Sequence, residues 1–158
     1  VYQTCARDGS LTITPGEMTD LDKIIEFIDG LRRRYKVQSV SFDKWNAMSI
    51  HNHLTRNQVE VFNFPQTHKM YNGPAVEFER LVSRGQLKHD GNSLLRWQVG
   101  HTFLERDKAG YVKPVTARRE NKKDNLVAVL MALSQAILQA GSLERKPSVY
   151  DSGGLWTV

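Results

Sequence analysis

The chain has 158 residues and a mass of 18.0 kDa, which suits one domain with a sizeable hydrophobic core. Its 40% hydrophobic and 25% charged residues are ordinary for a water-soluble fold. No apolar run approaches the roughly 20 residues of a membrane-spanning helix, and the first residues lack a signal-peptide pattern. The single cysteine, Cys5, excludes an internal disulfide framework and fits a reducing cytoplasm. A net charge of +5 favours an anionic partner, of which nucleic acid is the commonest.

The first half of the chain predicts alternating strands and helices. In chain order they are a strand at Leu11–Thr14, a helix at Leu21–Tyr35, a strand at Val37–Phe42, a helix at Trp45–Leu54 and a strand at Val59–Phe62. Apolar residues at helical spacing, after a cap at Thr19 or Asp20, predict that the first helix covers a sheet. Strand, helix and strand at this interval are typical of a right-handed βαβ unit, which indicates an α/β fold.

The second half is less regular. It predicts a loop at Gln66–Gly73, a helix from Pro74 to about Arg84 and a turn at Leu87–Asn92, while Ser93–Val99 stays unassigned. A hairpin is then expected to join Thr102–Leu104 to Tyr111–Val112 across Asp107–Gly110, and a last helix is expected at Asp124–Ala140. The apolar stripe of the last helix is wide enough to predict deep packing along it, up to Gly141. We expect residues 1–141 to form one domain and residues 142–158 to be an extension or linker.

Carboxylates are the remaining candidates for chemistry. The chain has no phosphate-binding glycine loop followed by Lys and Ser or Thr, no zinc-ligand spacing and no Gly-x-Ser-x-Gly elbow. Asp43 ends a predicted strand, at the edge of an α/β sheet where ligands usually bind. Asp124 begins the last helix. Asp43 is explained equally well as the N-cap of the next helix, since Asp is a preferred capping residue.

One acid at a strand end and another at the start of a packed helix suit hydrolysis of phosphodiesters with two metal ions. Carboxylates are hard oxygen ligands that hold Mg²⁺ or Mn²⁺ about 4 Å apart. One ion then activates water, and the other stabilises the leaving oxygen. The spacing of Asp43 and Asp124 is suggestive of this chemistry without establishing it.

Basic residues form two groups along the chain. The group at Arg32–Lys36 ends a predicted helix, where cations complement the helix dipole, so we interpret it as a solvated helix end. The second group precedes the last helix, beside a candidate acid, where phosphate contact and a solvated loop are about equally well supported. Its members are Lys113, Arg118, Arg119, Lys122 and Lys123.

Three further polar residues are candidates for supporting roles around a metal or phosphate. His89 and Asp90 are adjacent in a predicted turn, where a turn-stabilising pair is the commoner explanation. His101 is beside the predicted hairpin, where a single histidine is usually structural. Trp45 and Trp97 are flanked by apolar residues and are expected to pack in the core rather than to stack on bases.

Several segments together resemble the nuclease half of the large terminase subunit of tailed bacteriophages, most closely its HK97-like branch. They are Thr14–Gly16, the helix Leu21–Tyr35, Val40–Ala47, Gln66, Gly85–Asn92, Leu95, Trp97, Lys122–Ala128 and Met131–Ala132. The resemblance implies an RNase H-like mixed sheet flanked by helices, with metal-dependent endonuclease activity that cuts concatemeric DNA during packaging. It also implies Mg²⁺ or Mn²⁺ as cofactor, a location in the cytoplasm of the bacterial host, and no membrane. The implied partners are double-stranded DNA, the terminase ATPase domain, the small terminase subunit and the portal protein.

The resemblance also assigns roles to residues. The family's second metal-binding Asp falls on Asp43, and its third falls on Asp124. Nothing in Val1–Thr14 matches the strand that carries the family's first acid, and Asp8 is a poor substitute, so we expect the fold to be incomplete at its N-terminus. The family commonly has Ile where Lys123 stands and Asn where His101 stands.

Two other functions stay open at the level of the sequence. The chain is also interpretable as a catalytically silent RNase H-like module that docks on DNA or on the portal. It is further interpretable as another RNase H-like enzyme, such as a Holliday-junction resolvase or a transposase.

Overall fold

A computed structural model of the chain describes residues 1–43, 48–118 and 120–143, without the side chains of 142 and 143. The elements in this part are α1 (Tyr2–Arg7), α2 (Leu21–Arg34), β1 (Ser39–Phe42), α3 (Met48–Arg56), β2 (Glu60–Asn63), α4 (His68–Ser83), α5 (Ser93–Gly100), β3 (Thr102–Arg106), β4 (Val112–Thr116) and α6 (Asp124–Leu143).

The predicted βαβ unit is confirmed. Strands β1 and β2 pair in parallel, from Ser39 opposite Glu60 to Phe42 opposite Asn63, and α3 connects them. The backbone N–H of Phe64 donates to the carbonyl of Phe42 at 3.0 Å, which continues the pairing past the end of β2. Within the described residues, β2 is the only strand paired with β1. The segment after β2 is therefore held next to the end of β1.

The predicted hairpin is confirmed and is longer than expected. Strands β3 and β4 pair antiparallel from Thr102 opposite Thr116 to Arg106 opposite Val112. Gly110 has φ +88° in the connecting turn, a conformation that glycine adopts without steric cost. Parallel and antiparallel pairing thus both occur, as a mixed sheet requires, but the described residues form two separate two-stranded sheets.

A single buried cluster joins the two halves of the chain. Its members are Phe64, Tyr71, Ala75, Val112, Leu126, Leu130 and Met131. The rings of Phe64 and Tyr71 meet edge to face with centroids 5.1 Å apart, a favoured geometry for aromatic pairs. These residues come from the end of β2, from α4, β4 and α6, so the cluster fixes the last helix against both sheets.

The start of α4 corrects the sequence-based prediction. The expected loop at Gln66–Gly73 is wrong from His68 onwards, because α4 begins there rather than at Pro74. Thr67 caps the helix, and its side chain accepts a hydrogen bond from the Met70 N–H. A proline usually marks a first helical turn, but Pro74 lies buried inside α4. The Thr67 cap and the packing of Tyr71 outweigh the missing N–H of Pro74.

Other boundaries differ as well. Leu11–Thr14 is not a strand, and the first residues form the unexpected helix α1. The unassigned segment Ser93–Val99 lies in α5, which Asn92 caps by accepting from the Leu95 N–H at 2.9 Å. Helix α6 passes Gly141 and ends at Leu143. Trp45, where the next helix was expected to start, lies outside the described residues.

The apolar face of α2 is only partly covered in the described part of the chain. No residue of α2 is buried, and Phe27 is 67% exposed, so the expectation that this helix covers a sheet is wrong here. A cleft of about 540 Å³ separates α2 from β1 and α6. Two buried polar atoms of cleft residues, Ser41 Oγ and Gln135 Nε2, have no hydrogen-bond partner among the described residues.

Helix α6 is only partly buried. Leu126, Leu130, Met131 and Gln135 are buried, whereas Leu138 is 57% exposed, so deep packing is confirmed up to Gln135 and wrong beyond it. By length and composition alone, the window Asp124–Gly141 also qualifies as able to cross a membrane, with 22% of it buried. The core helix of a soluble protein meets the same criterion, and α6 packs against α4, α5 and β1.

We expect Leu130→Ala to lower the free energy of unfolding by about 2–5 kcal/mol, because it leaves a cavity in the central cluster. Leu138→Ala on the exposed part of the same helix is the matched control and is expected to change it by less than about 1 kcal/mol. Urea denaturation of both variants measures the difference. Equal losses in the two variants would contradict this account of the core.

Candidate functional site

Asp43 directly follows β1, at the carboxyl end of the parallel strand pair, and its side chain is exposed. The strand fixes the backbone that carries the carboxylate, while the solvent side is open to a ligand. The alternative role of Asp43 as a helix cap involves residues 44–47, which lie outside the described part of the chain.

Tyr71 lies beneath this acid and is fully buried. Burial, and after it the negative charge of Asp43, raise the pKa of Tyr71 from its ordinary 10.0 to about 12. The Asp43 carboxylate is therefore within electrostatic range of the phenol. The Tyr71 hydroxyl donates a hydrogen bond to Gln66 Oε1.

Gln66 connects Tyr71 to a lysine. Its backbone carbonyl accepts from Lys113 Nζ at 2.9 Å, and its side-chain Nε2 donates to the Phe64 carbonyl at 3.2 Å. Lys113 is one of the predicted phosphate-binding residues, and the structure brings it to the end of the parallel strand pair. We call Asp43, Gln66, Tyr71 and Lys113 the strand-end cluster.

Asp124 is the first residue of α6, and its side chain is exposed. The position of this helix end is set by Gln98 of α5, whose Oε1 accepts from the Asn125 N–H at 2.7 Å. Gln98 is only 2% exposed. The sequence analysis missed this residue; the signal was a glutamine within the apolar run Leu94–Val99.

The two acids are carried by elements that pack on one another. Helix α6 contacts β1, which ends before Asp43. Tyr71, which feels the charge of Asp43, shares the buried cluster with Leu126, two residues after Asp124. The same cluster thus supports the strand end and the first turn of α6.

The predicted basic group surrounds the start of α6. Lys122 is exposed, and Lys123 is half-buried, with its carbonyl accepting from the Val127 N–H at 2.9 Å. Arg118 is exposed and lines a hollow of about 370 Å³ together with His101. Arg119 lies outside the described residues. Positive charge therefore precedes Asp124 directly on the chain.

The three supporting candidates make local contacts. His89 Nδ1 accepts from the Gly91 N–H at 3.0 Å, and Asp90 Oδ1 accepts from the Asn92 N–H at 3.1 Å. His101 Nδ1 is hydrogen-bonded to the Trp97 carbonyl at 2.8 Å. The partners of His89 and Asp90 lie within the turn before α5.

Asp8, considered as a substitute acid, lies at the same turn. Its Oδ2 accepts from Ser93 Oγ at 2.7 Å, and hydrogen bonds from Ser93 and Ser10 lower the pKa of Asp8. It thus has a local structural role.

Asp43 and Asp124 supply two hard oxygen donors, which suit a divalent ion such as Mg²⁺. Among the described residues there is no group of three or more His, Cys, Asp or Glu side chains placed to hold a metal. The described residues therefore do not by themselves form a complete ligand set.

Comparison with solved structures defines the class of protein. The chain superposes on the HK97 bacteriophage large terminase with a TM-score of 0.74 at 21% identity, over 85% of this chain and 28% of that one. It also matches the large terminase nuclease from thermophilic phage G20c with a TM-score of 0.59 at 15% identity, over 76% of this chain and 64% of that one. The fold is thus α/β and RNase H-like, as expected.

The family follows from the sequence. The protein-family model described as "Terminase large subunit, endonuclease domain" matches residues 1–140, so the chain belongs to this family. Protein YmfN of Escherichia coli K12 is 28% identical over 141 residues, which are 87% of this chain and 30% of that protein. The chain spans under a third of the length of YmfN and of the HK97 terminase. The resemblance inferred from the sequence is therefore confirmed.

We expect one of the five tyrosines, Tyr71, to ionise near pH 12 in the folded protein. Because its folded pKa is raised, its contribution to stability is complete below the ordinary value of 10.0 and is lost as the pH rises toward 12. Phenolate absorbance recorded directly after a pH jump measures this step. Tyr71→Phe is expected to remove the ionisation step near pH 12. If the wild type showed no such step, the raised pKa of Tyr71 would be contradicted.

Proposed function

We propose that the chain is the metal-dependent DNA endonuclease part of a phage or prophage terminase large subunit, which cuts concatemeric viral DNA during genome packaging. The observation that carries this proposal is the family match over residues 1–140. The placement of Asp43 and Asp124 on elements that pack together supports it. We place the protein in the cytoplasm of the bacterial host, where that DNA is packaged.

In this proposal Asp43 and Asp124 bind Mg²⁺ or Mn²⁺. Bound divalent ions would supply an activated water and stabilise the leaving oxygen of the phosphodiester. The strand end fixes one carboxylate, and the Gln98-anchored helix end fixes the other. Further ligands come from outside the described residues, since these contain no group of three. His89, Asp90 and His101 are assigned no metal contact, because their observed partners are local.

The basic residues serve DNA binding in this proposal. Lys122, Lys123 and Arg118 precede Asp124 on one loop, and Lys113 lies in the strand-end cluster with Asp43. Cations on both sides of the acids would hold the phosphate backbone across them, independent of base sequence. Arg119 belongs to the same basic run and is proposed to assist.

The partners follow from the length of the relatives. Because the chain spans under a third of YmfN and of the HK97 terminase, we propose that it acts joined to, or together with, a terminase ATPase domain. The small terminase subunit, the portal protein and double-stranded DNA complete the proposed set of partners.

A second candidate is a catalytically silent docking module for DNA or the portal. The absence of a three-ligand group among the described residues favours it for the isolated chain. Nicking of plasmid DNA by the wild-type chain separates the two functions.

We expect the 158-residue chain to nick plasmid DNA in Mn²⁺, and Asp43→Asn or Asp124→Asn to lower the rate by more than about 100-fold, because each removes a proposed metal ligand. Asp22→Asn, an exposed acid in the first turn of α2, is the matched control and should retain full activity. A wild-type chain that binds DNA without nicking it would support the docking module. Full activity in both active-site variants would overturn the proposed ligands.

DNA affinity is expected to fall with salt, and each phosphate contact contributes about 0.9 to the slope of log K against log salt. Replacing Lys122 and Lys123 with Gln should reduce the steepness of that slope by the contribution of nearly two phosphate contacts. Replacing Arg33 and Arg34, at the exposed C-terminal end of α2, is the matched control and should leave it unchanged. Fluorescence anisotropy with a labelled duplex in EDTA measures binding without cleavage. An equal reduction in both double variants would show that net charge alone is responsible.

A further inference from the structure

Gln66 makes several hydrogen bonds near the end of the parallel strand pair. It follows β2 directly, in the segment that the Phe64–Phe42 hydrogen bond holds against the end of β1. The function proposed above assigns Gln66 no part. Its side chain accepts a hydrogen bond from a buried phenol, and its backbone carbonyl accepts one from a lysine ammonium.

The orientation of the Gln66 amide is fixed by its surroundings. Oε1 accepts from the Tyr71 hydroxyl, while Nε2 donates to the Phe64 carbonyl at 3.2 Å and points at Met131 Sδ at 3.9 Å. If the amide were flipped, Gln66 Oε1 would face the Phe64 carbonyl oxygen, and two acceptors would repel each other there. Because Tyr71 is fully buried, the bonded Gln66 side chain is tied to the core, and its backbone carbonyl is held in place.

Lys113 is held by that carbonyl and retains free donors. It lies on β4 between the buried residues Val112 and Pro114, which fix the start of its side chain. None of the salt bridges among the described residues involves Lys113. An ammonium has three N–H donors, and the Gln66 carbonyl uses one of those of Lys113. Two donors thus remain to meet an anion.

We propose that Gln66 is a positioning residue that holds the Lys113 ammonium at the end of the parallel strand pair, where it contacts a DNA phosphate. This inference rests on the proposed nuclease function for the identity of the anion. Tyr71 acts through Gln66 by anchoring its amide. A loosely held lysine would pay conformational entropy on meeting the phosphate, and the carbonyl of Gln66 reduces that cost.

The first test needs neither DNA nor cleavage. Nitrogen-15 NMR of the lysine side chains should show a slowly exchanging ammonium for Lys113 in the wild type, because it is hydrogen-bonded and half-buried. Gln66→Leu keeps the backbone carbonyl but loses the side-chain bonds that fix it, so it should weaken that signal. Tyr71→Phe, which keeps the ring but removes the anchoring hydroxyl, should weaken it as well. An unchanged Lys113 signal in Gln66→Leu would overturn the positioning role, whatever the chain does to DNA.

The second test asks whether the two residues act as a unit on DNA. Lys113→Gln and Gln66→Leu should each reduce the steepness of the slope of log K against log salt by the contribution of about one phosphate contact. The measurement is made in EDTA, so that DNA is bound without being cut. The double variant should reduce the slope no further. Lys108→Gln, an exposed lysine in the turn between β3 and β4, is the matched control and should retain the wild-type slope.

Cleavage then separates the two proposals. If the wild type nicks DNA, Gln66→Leu should lower kcat/KM about tenfold, mainly by raising KM for DNA, because one phosphate contact is lost. A wild type that binds but never nicks would overturn the nuclease proposal, while the salt slopes still decide the role of Gln66. Gln66 would have a structural role only if the slope reductions of the two single variants added up in the double variant. The same conclusion would follow if Gln66→Leu lowered the melting temperature but kept the wild-type slope.

Discussion

The buried contact between Tyr71, Phe64 and the first turns of α6 is the constraint on which the rest of the structure depends. The parallel pair β1 and β2 has only two strands in the described part of the chain and cannot bury a core by itself. The ring of Tyr71 brings α4 under the end of these strands, and Leu126 and Leu130 bring the last helix onto the same point. The candidate site is built where these elements meet.

This packing has a direct consequence for chemistry. Carboxylates that carry divalent ions need a fixed position with an open side, and strand ends and helix starts provide both. Asp43 and Asp124 are exposed, while the residues beneath or beside them, Tyr71 and Gln98, are almost fully buried. The acids are therefore surface groups on rigid supports. The positive charge beside them lies at Lys113, Lys122 and Lys123, which suits an anionic polymer better than a small neutral ligand.

The described residues also show where the fold is open. The apolar face of α2, the free edge of β1 and the exposed side of α6 border one cleft, in which Ser41 Oγ and Gln135 Nε2 are buried without partners. Buried polar atoms are nearly always hydrogen-bonded in complete folds. YmfN and the HK97 terminase are more than three times as long as the region they share with this chain. In the described part of the chain, the core is therefore closed around Tyr71 and open at this cleft.

The sequence by itself determined the βαβ unit, the hairpin, the last helix and the family, because each depends on local periodicity, turn residues or short motifs. It also singled out Asp43 and Asp124, since a strand end and a helix start are visible in the pattern. Only the tertiary structure decided that Pro74 lies inside a helix, that α2 has a partly uncovered face, that hydrogen bonds join Gln66 to Tyr71 and Lys113, and that Gln98 holds the start of α6. These features arise from contacts between residues far apart in the chain, such as Gln66 and Lys113, which are 47 positions apart, and no local pattern encodes such a pairing.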